Sequence, residues 1–227
     1  MSNSVSRRTF AKGAAMAGAL ALTGGVVVAG VKPAHAEDEQ AEGTLAEGAA
    51  AESAEVPAAQ PDKQYGFWFN TANCVACFDC VQKCARNNHT PWDKDRLDYH
   101  VIEKDGQKRH FLAGCQHCDN PACATVCPAH AITKGEGGIV RVDKDRCIGC
   151  KYCYHACPFG VPKYLPTGMD KCDYCHEAGV ALGQPTNCVQ ACTHDALHCG
   201  TVEELRELAG DGAKPIDCST GPNTLFS

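Results

Sequence analysis

Beyond its first few dozen residues, the chain has no apolar run long enough to span a bilayer. Aromatic residues make up only 7% of it, and large aliphatic side chains are sparse outside a few short segments. With so little to bury, side chains alone cannot build a large core. Positive charge is not in excess either. The 21 Lys and Arg residues stand against 27 Asp and Glu, a formal net charge of −6, which argues against a nucleic-acid partner. No Ser-His-Asp grouping, glycine-rich phosphate loop or paired-carboxylate motif stands out, so hydrolytic and nucleotide chemistry have no signature. The chain reads as no enzyme in its own right.

What it has is cysteine, 18 in 227 residues. Sixteen fall into four runs. The first is Cys74-x2-Cys77-x2-Cys80-x3-Cys84, and the second is Cys115-x2-Cys118-x4-Cys123-x3-Cys127, followed by Pro128. The third is Cys147-x2-Cys150-x2-Cys153-x3-Cys157, followed by Pro158. The fourth is split into Cys172-x2-Cys175 and Cys188-x3-Cys192. A cubane iron–sulfur cluster needs one thiolate per iron, and a Cys-x2-Cys-x2-Cys loop wraps three corners. The fourth cysteine, three residues on, is expected at the start of a helix that faces a neighbouring cluster. A proline after it suits the change of direction, since it fixes φ and offers no N–H. The pattern makes sense in twos, so four runs predict four [4Fe–4S] clusters and an electron-transfer role. A disulfide scaffold does not need four copies of this register. A zinc scaffold explains the Cys-x2-Cys pairs but not the third and fourth cysteines.

The N-terminus carries Ser6-Arg7-Arg8-Thr9-Phe10, then a Gly- and Ala-rich apolar stretch, then Ala34-His35-Ala36. Residues 1–36 read as a twin-arginine signal peptide cut after Ala36; the competing reading is an uncleaved membrane anchor. Twin-arginine export carries proteins already folded around a cofactor, which agrees with the cysteine runs. The expected location is therefore periplasmic, or on the extracytoplasmic face of the membrane, with no transmembrane helix of its own after cleavage. Residues 37–63 are Ala-rich and acidic with Pro57 and Pro61, the composition of a flexible linker. The clusters are expected to do much of the work of a core, leaving the apo form largely unfolded.

Residues 65–70 read as an aromatic strand, and residues 99–104 and 107–113 as a hairpin around Asp105-Gly106. Residues 139–142 read as a short strand, 203–209 as a helix closed by Gly210, and 214–227 as an extended arm. The fold class is α+β, with short strands, a hairpin insertion and cluster-binding loops. The segment from Cys123 to Ile132 parallels that from Cys188 to Leu197. This internal repeat points to two bacterial-ferredoxin-like dicluster modules within residues 64–200, followed by a C-terminal helix and tail in 201–227.

The segments Cys115-Gln-His-Cys118-Asp-Asn-Pro121-Ala-Cys123, Asp143-Lys-Asp-Arg-Cys147-Ile-Gly-Cys150-Lys-Tyr-Cys153 and Lys171-Cys172-Asp-Tyr-Cys175 carry a family likeness. Over residues 65–200 the chain resembles the four-cluster iron–sulfur subunits of the molybdopterin oxidoreductase superfamily. The resemblance implies that runs one and four pair, and that runs two and three pair. It implies a first cluster on Cys74, Cys77, Cys80 and Cys192, and a second on Cys172, Cys175, Cys188 and Cys84. The third falls to Cys115, Cys118, Cys123 and Cys157, and the fourth to Cys147, Cys150, Cys153 and Cys127. It further implies a molybdenum or tungsten catalytic partner facing the first module, and a quinol-oxidising membrane subunit or cytochrome facing the second. Ala85 and Thr193 depart from the pattern by replacing the proline after the last cysteine. Cys150 is present where some relatives lose a ligand, so four full cubanes are expected.

Cys199 and Cys218 have no cluster register; Cys199 reads as a small buried thiol, with a disulfide to Cys218 as the alternative. His117, His155, His176 and His194 lie beside cluster cysteines and read as surface groups or as groups that touch a ligand and tune it. The rivals to an electron-transfer subunit are a free-standing periplasmic polyferredoxin shuttle and a non-redox metal scaffold.

Overall fold

The computed structural model describes residues 59–91, 93–104 and 106–227. The expected signal peptide, and all but the end of the expected linker, lie outside the described residues.

The chain enters through β1 (Tyr65–Phe69), and a loop then leads into α1 (Asp79–Asn87). The hairpin follows as β2 (Asp98–Lys104) and β3 (Gln107–Ala113). Next come α2 (Ala122–Thr125), β4 (Ile132–Lys134), β5 (Val140–Val142) and α3 (Tyr152–Ala156). A second small hairpin, β6 (Lys163–Leu165) and β7 (Gly168–Asp170), precedes α4 (Asn187–Gln190). The chain closes with β8 (Leu197–Thr201), α5 (Val202–Ala209), β9 (Lys214–Pro215) and β10 (Thr224–Phe226). Short helices mixed with small sheets agree with the α+β expectation.

One sheet has the order β8-β1-β10-β9, with β1 parallel to β10 and antiparallel to β8. The other strands form separate two-stranded ribbons, β2–β3, β4–β5 and β6–β7. β1 is buried along its whole length, as its four aromatic side chains require. Alternate residues point to opposite faces. Tyr65, Phe67 and Phe69 face the cysteine-lined core with Leu112, Ile139 and Tyr174. Trp68 packs on the other side with Leu205 and Leu225. Gly66 shares that second face. A Cβ there would collide with the Asn223 carbonyl oxygen, so only glycine lets the C-terminal segment approach.

That segment differs from the expected extended arm. Its β10 is an interior strand of the sheet, with Leu225 only 1% exposed. Phe226 stacks on Phe111 of the hairpin, with ring centroids 4.6 Å apart. Isolated from its partners, Thr-Leu-Phe is too short to signal a strand, and its order comes from pairing with β1. α5 begins in a reciprocal capping box between Thr201 and Glu204 and ends at Gly210, φ 69°.

Candidate iron–sulfur centres

The four runs share one backbone device. In each, the residue just before the second cysteine has positive φ: Ala76 58°, His117 43°, Gly149 66° and Tyr174 61°. Only one of these is glycine. A non-glycine residue there costs on the order of 1 kcal/mol or more, and the strain recurs at equivalent positions. In runs one and three a second left-handed residue follows the second cysteine, Phe78 at 65° and Lys151 at 68°. Both are the N-cap of the next helix. The loops therefore curl inward, carrying their thiols to one side.

In every run the third cysteine of the register is the second residue of a helix: Cys80 in α1, Cys123 in α2, Cys153 in α3 and Cys188 in α4. This corrects the expectation that the fourth cysteine starts the helix. Cys84 lies inside α1, Cys157 is the C-cap of α3, and Cys127 and Cys192 follow the ends of α2 and α4. The reason is geometric. A spacing of x3 is about one helical turn, roughly 5.4 Å of rise, so the helix itself separates the third thiol from the fourth. In run three Pro158 directly follows Cys157, the C-cap of α3, whereas α2 already ends at Thr125, before Pro128. Where Ala85 replaces it, α1 continues to Asn87. Thr193 has no such effect, since α4 ends at Gln190. α1 packs on α4, and α2 on α3.

The thiols collect in four places. Cys74, Cys77, Cys80 and Cys192 line one pocket. Burial, then the neighbouring Cys192, pushes the Cys80 thiol up to about 12. Cys84 lies with Cys172, Cys175 and Cys188. Burial first, then Cys175, pushes its thiol up to about 12. Cys172 and Cys188 are raised by burial and then by surrounding thiols, Cys84 among them. Cys115, Cys118, Cys123 and Cys157 form a third group. Burial pushes Cys123 up to about 12, and the other three thiols add to it. Cys127, Cys147, Cys150 and Cys153 line the last pocket, with about 330 Å³ of empty volume. Pairing the runs by sequence order, one with two, would place Cys84 beside Cys115, Cys118 and Cys123, but the thiols around it belong to run four.

These residues fit a multi-atom cluster. Thiols crowded into apolar pockets raise one another's proton affinity, and a group that binds thiolates relieves that crowding. Among the described residues, no three Cys, His, Asp or Glu side chains gather closely enough to share a single metal ion. Backbone N–H groups already point at sulfurs, Ala131 at Cys127 (3.3 Å), Met169 at Cys147 (3.5 Å) and Ala196 at Cys192 (3.4 Å). Such donors favour the thiolate. One buried cation also lacks an obvious counter-charge. Lys171, 3% exposed, donates its ammonium to the Val140 and Cys172 carbonyls, and an anionic cluster held by the nearby thiols would meet the charge.

A second buried cation was not legible in sequence. Arg96, 3% exposed, uses all five of its N–H donors. Two go to the Asp170 carboxylate at 2.8 and 2.7 Å; the rest go to Asp173 (2.8 Å), Asn88 (2.8 Å) and Glu177 (2.9 Å). Burial works against the guanidinium, but the Asp170 hydrogen bonds outweigh it and raise its pKa. Asn88 follows α1 and Asp173 sits inside run four, so Arg96 ties the end of run one to the start of run four. Its segment is polar and irregular, with no pattern that announces burial.

The histidines separate clearly. His155, His176 and His194 are exposed, whereas His117 is fully buried. Cys199 is half-buried and accepts from the Thr186 N–H at 3.4 Å. Cys218 contacts the Thr220 hydroxyl at 3.3 Å. Both are free thiols in the structure.

Comparison with known proteins places this geometry. A family profile described as "4Fe-4S dicluster domain" matches residues 107–202. The B subunit of the anaerobic dimethyl sulfoxide reductase of Escherichia coli K12 is 40% identical over 162 residues, 65% of this chain and 78% of that protein. The thiosulfate reductase electron transfer subunit PhsB of Salmonella typhi is 39% identical over 161 residues, 67% of this chain and 84% of that protein. Protein NrfC of Escherichia coli K12 is 35% identical over 149 residues, 62% of this chain and 67% of that protein. With its cysteine-lined pockets and paired helices, the chain belongs to the family of [4Fe–4S] ferredoxin-type electron-transfer subunits that includes these three proteins.

Proposed function

We propose that the chain is an exported electron-transfer subunit with four [4Fe–4S] clusters, one in each thiol group, working beside a molybdenum or tungsten catalytic subunit. The observation that carries this reading is the linear succession of the four groups. The first and second are linked through one turn of α1 (Cys80 to Cys84) and through the segment from Cys188 in α4 to Cys192 just beyond it. The second meets the third where Cys172 lies beside Cys115. The third and fourth are linked through α2 and α3, from Cys123 to Cys127 and from Cys153 to Cys157.

When bound, such clusters supply one-electron redox chemistry at potentials set by their surroundings. The chain's own residues hold them, exclude water and offer surfaces at both ends. Val75 and Phe78, 57% and 41% exposed, flank the first group; Ile148 and Tyr152, 68% and 60% exposed, flank the last. Exposed apolar side chains at both ends suit two redox partners, a catalytic subunit at one and a quinol-linked subunit or cytochrome at the other. The relatives named for dimethyl sulfoxide and thiosulfate reductases support the molybdenum or tungsten partner. Extracytoplasmic location rests on the Arg7-Arg8 signal and the small residues at Ala34 and Ala36.

Anaerobic purification of the tagged protein from its native host tests the proposal. A partner of comparable stoichiometry containing molybdenum or tungsten is the expected result. An iron-rich protein that emerges alone favours the free-standing shuttle and contradicts the subunit reading.

A further inference from the structure

We propose that His117 and Lys171 together raise the reduction potential of one centre, that of Cys115, Cys118, Cys123 and Cys157, by acting at Cys115. The proposal deepens the four-centre reading and rests on it.

The ring of His117 has no freedom to change role. It is 0% exposed and packs against the Phe67–Tyr174 ring pair, with ring centroids 6.3 and 6.0 Å away. The Val140 N–H donates to its Nδ1 at 3.1 Å. Nδ1 is therefore the acceptor, and the proton of the neutral ring sits on Nε2. Nε2 is buried with no hydrogen-bond partner, and the ring lies near the Cys115 thiol. Leaving a buried donor unpaired is costly, and the sulfur is the group available to accept. The carbonyl of His117 is held in turn by the Asn223 side chain at 2.9 Å, so the C-terminal segment fixes the ring's mount.

Lys171, which follows β7, completes the arrangement. Its ammonium reaches the carbonyl of Val140, the residue whose N–H fixes the His117 tautomer. Although adjacent to Cys172 in sequence, it lies near Cys115 and Cys123. A fixed donor and a buried positive charge thus converge on one ligand. Reduction adds negative charge to a centre, so donors and cations that stabilise its thiolate also favour its reduced form. Cys115 adjoins Cys172 of the next group, which puts the raised potential in the middle of the succession rather than at an end.

The test is an anaerobic redox titration of the intact holoprotein followed by electron paramagnetic resonance. His117→Asn keeps an acceptor for the Val140 N–H but withdraws the donor from Cys115. His117→Gln places an amide where Nε2 was. Lys171→Met removes the charge at similar length, and Lys171→Arg keeps it. His117→Asn and Lys171→Met are each expected to make one midpoint more negative, by about tenfold in its reduction equilibrium, or about 59 mV for one electron. The other three midpoints stay in place, and the Gln and Arg variants lie closer to wild type. Either loss variant decides the matter if the other fails to assemble. Unmoved midpoints, or four that shift together, overturn the inference. Fewer than four titrating centres in the wild type instead overturns the reading on which it stands.

Discussion

Cys84→Ala is expected to abolish the centre held by Cys172, Cys175 and Cys188 while sparing that of Cys74, Cys77 and Cys80. Cys84 belongs to run one by sequence, but one turn of α1 carries its thiol away from Cys80 and into the run-four group. The variant should lose about four irons of about sixteen per chain, together with one resonance signal. Loss of the run-one signal instead would mean that the runs do not cross. The structural cost should exceed that of an ordinary cavity. Cys84, Cys172, Cys175 and Cys188 are all buried, and an empty pocket among them would leave crowded thiols where a cluster had linked α1 to α4.

The second large effect is expected at Arg96. Arg96→Met removes all five donors and leaves Asp170 and Asp173, both nearly inaccessible, without their cation. Removing one partner of such a network costs about 3–5 kcal/mol. For a chain of this size the thermal midpoint of cluster bleaching should fall on the order of 10 °C. Lys144 offers little compensation, since its ammonium lies 3.5 Å from Asp170 and is shared with Glu177. Arg96→Lys should recover little, because an ammonium cannot reproduce the planar fork. A variant with wild-type bleaching temperature would show that the network contributes nothing to stability.

Part of this architecture is legible in the sequence directly. β1, the β2–β3 hairpin and α5 each have a local cause: an aromatic run, a glycine turn and a capping box. The register of the cysteines marks the candidate ligands because a cluster demands thiols at short fixed intervals. The helix position is less legible, because an x3 interval looks the same whether it is a gap before a helix or one turn of it. β10 has no local signal because its order is borrowed from β1 through Gly66. Arg96 lies beyond reach for a related reason. Its acidic partners are more than seventy residues away, and nothing local distinguishes it from a surface arginine. In sequence His117 is only one of four histidines beside cysteines. Its burial follows from β1 and Tyr174, which come from opposite ends of the domain.

The most direct test of the central claim is iron and acid-labile sulfide content, measured with a Mössbauer spectrum on anaerobically purified, isotopically enriched protein. The account predicts about sixteen irons and about sixteen sulfides per chain, all in cubane-type signals. About eight irons, or zinc in place of iron, would contradict it.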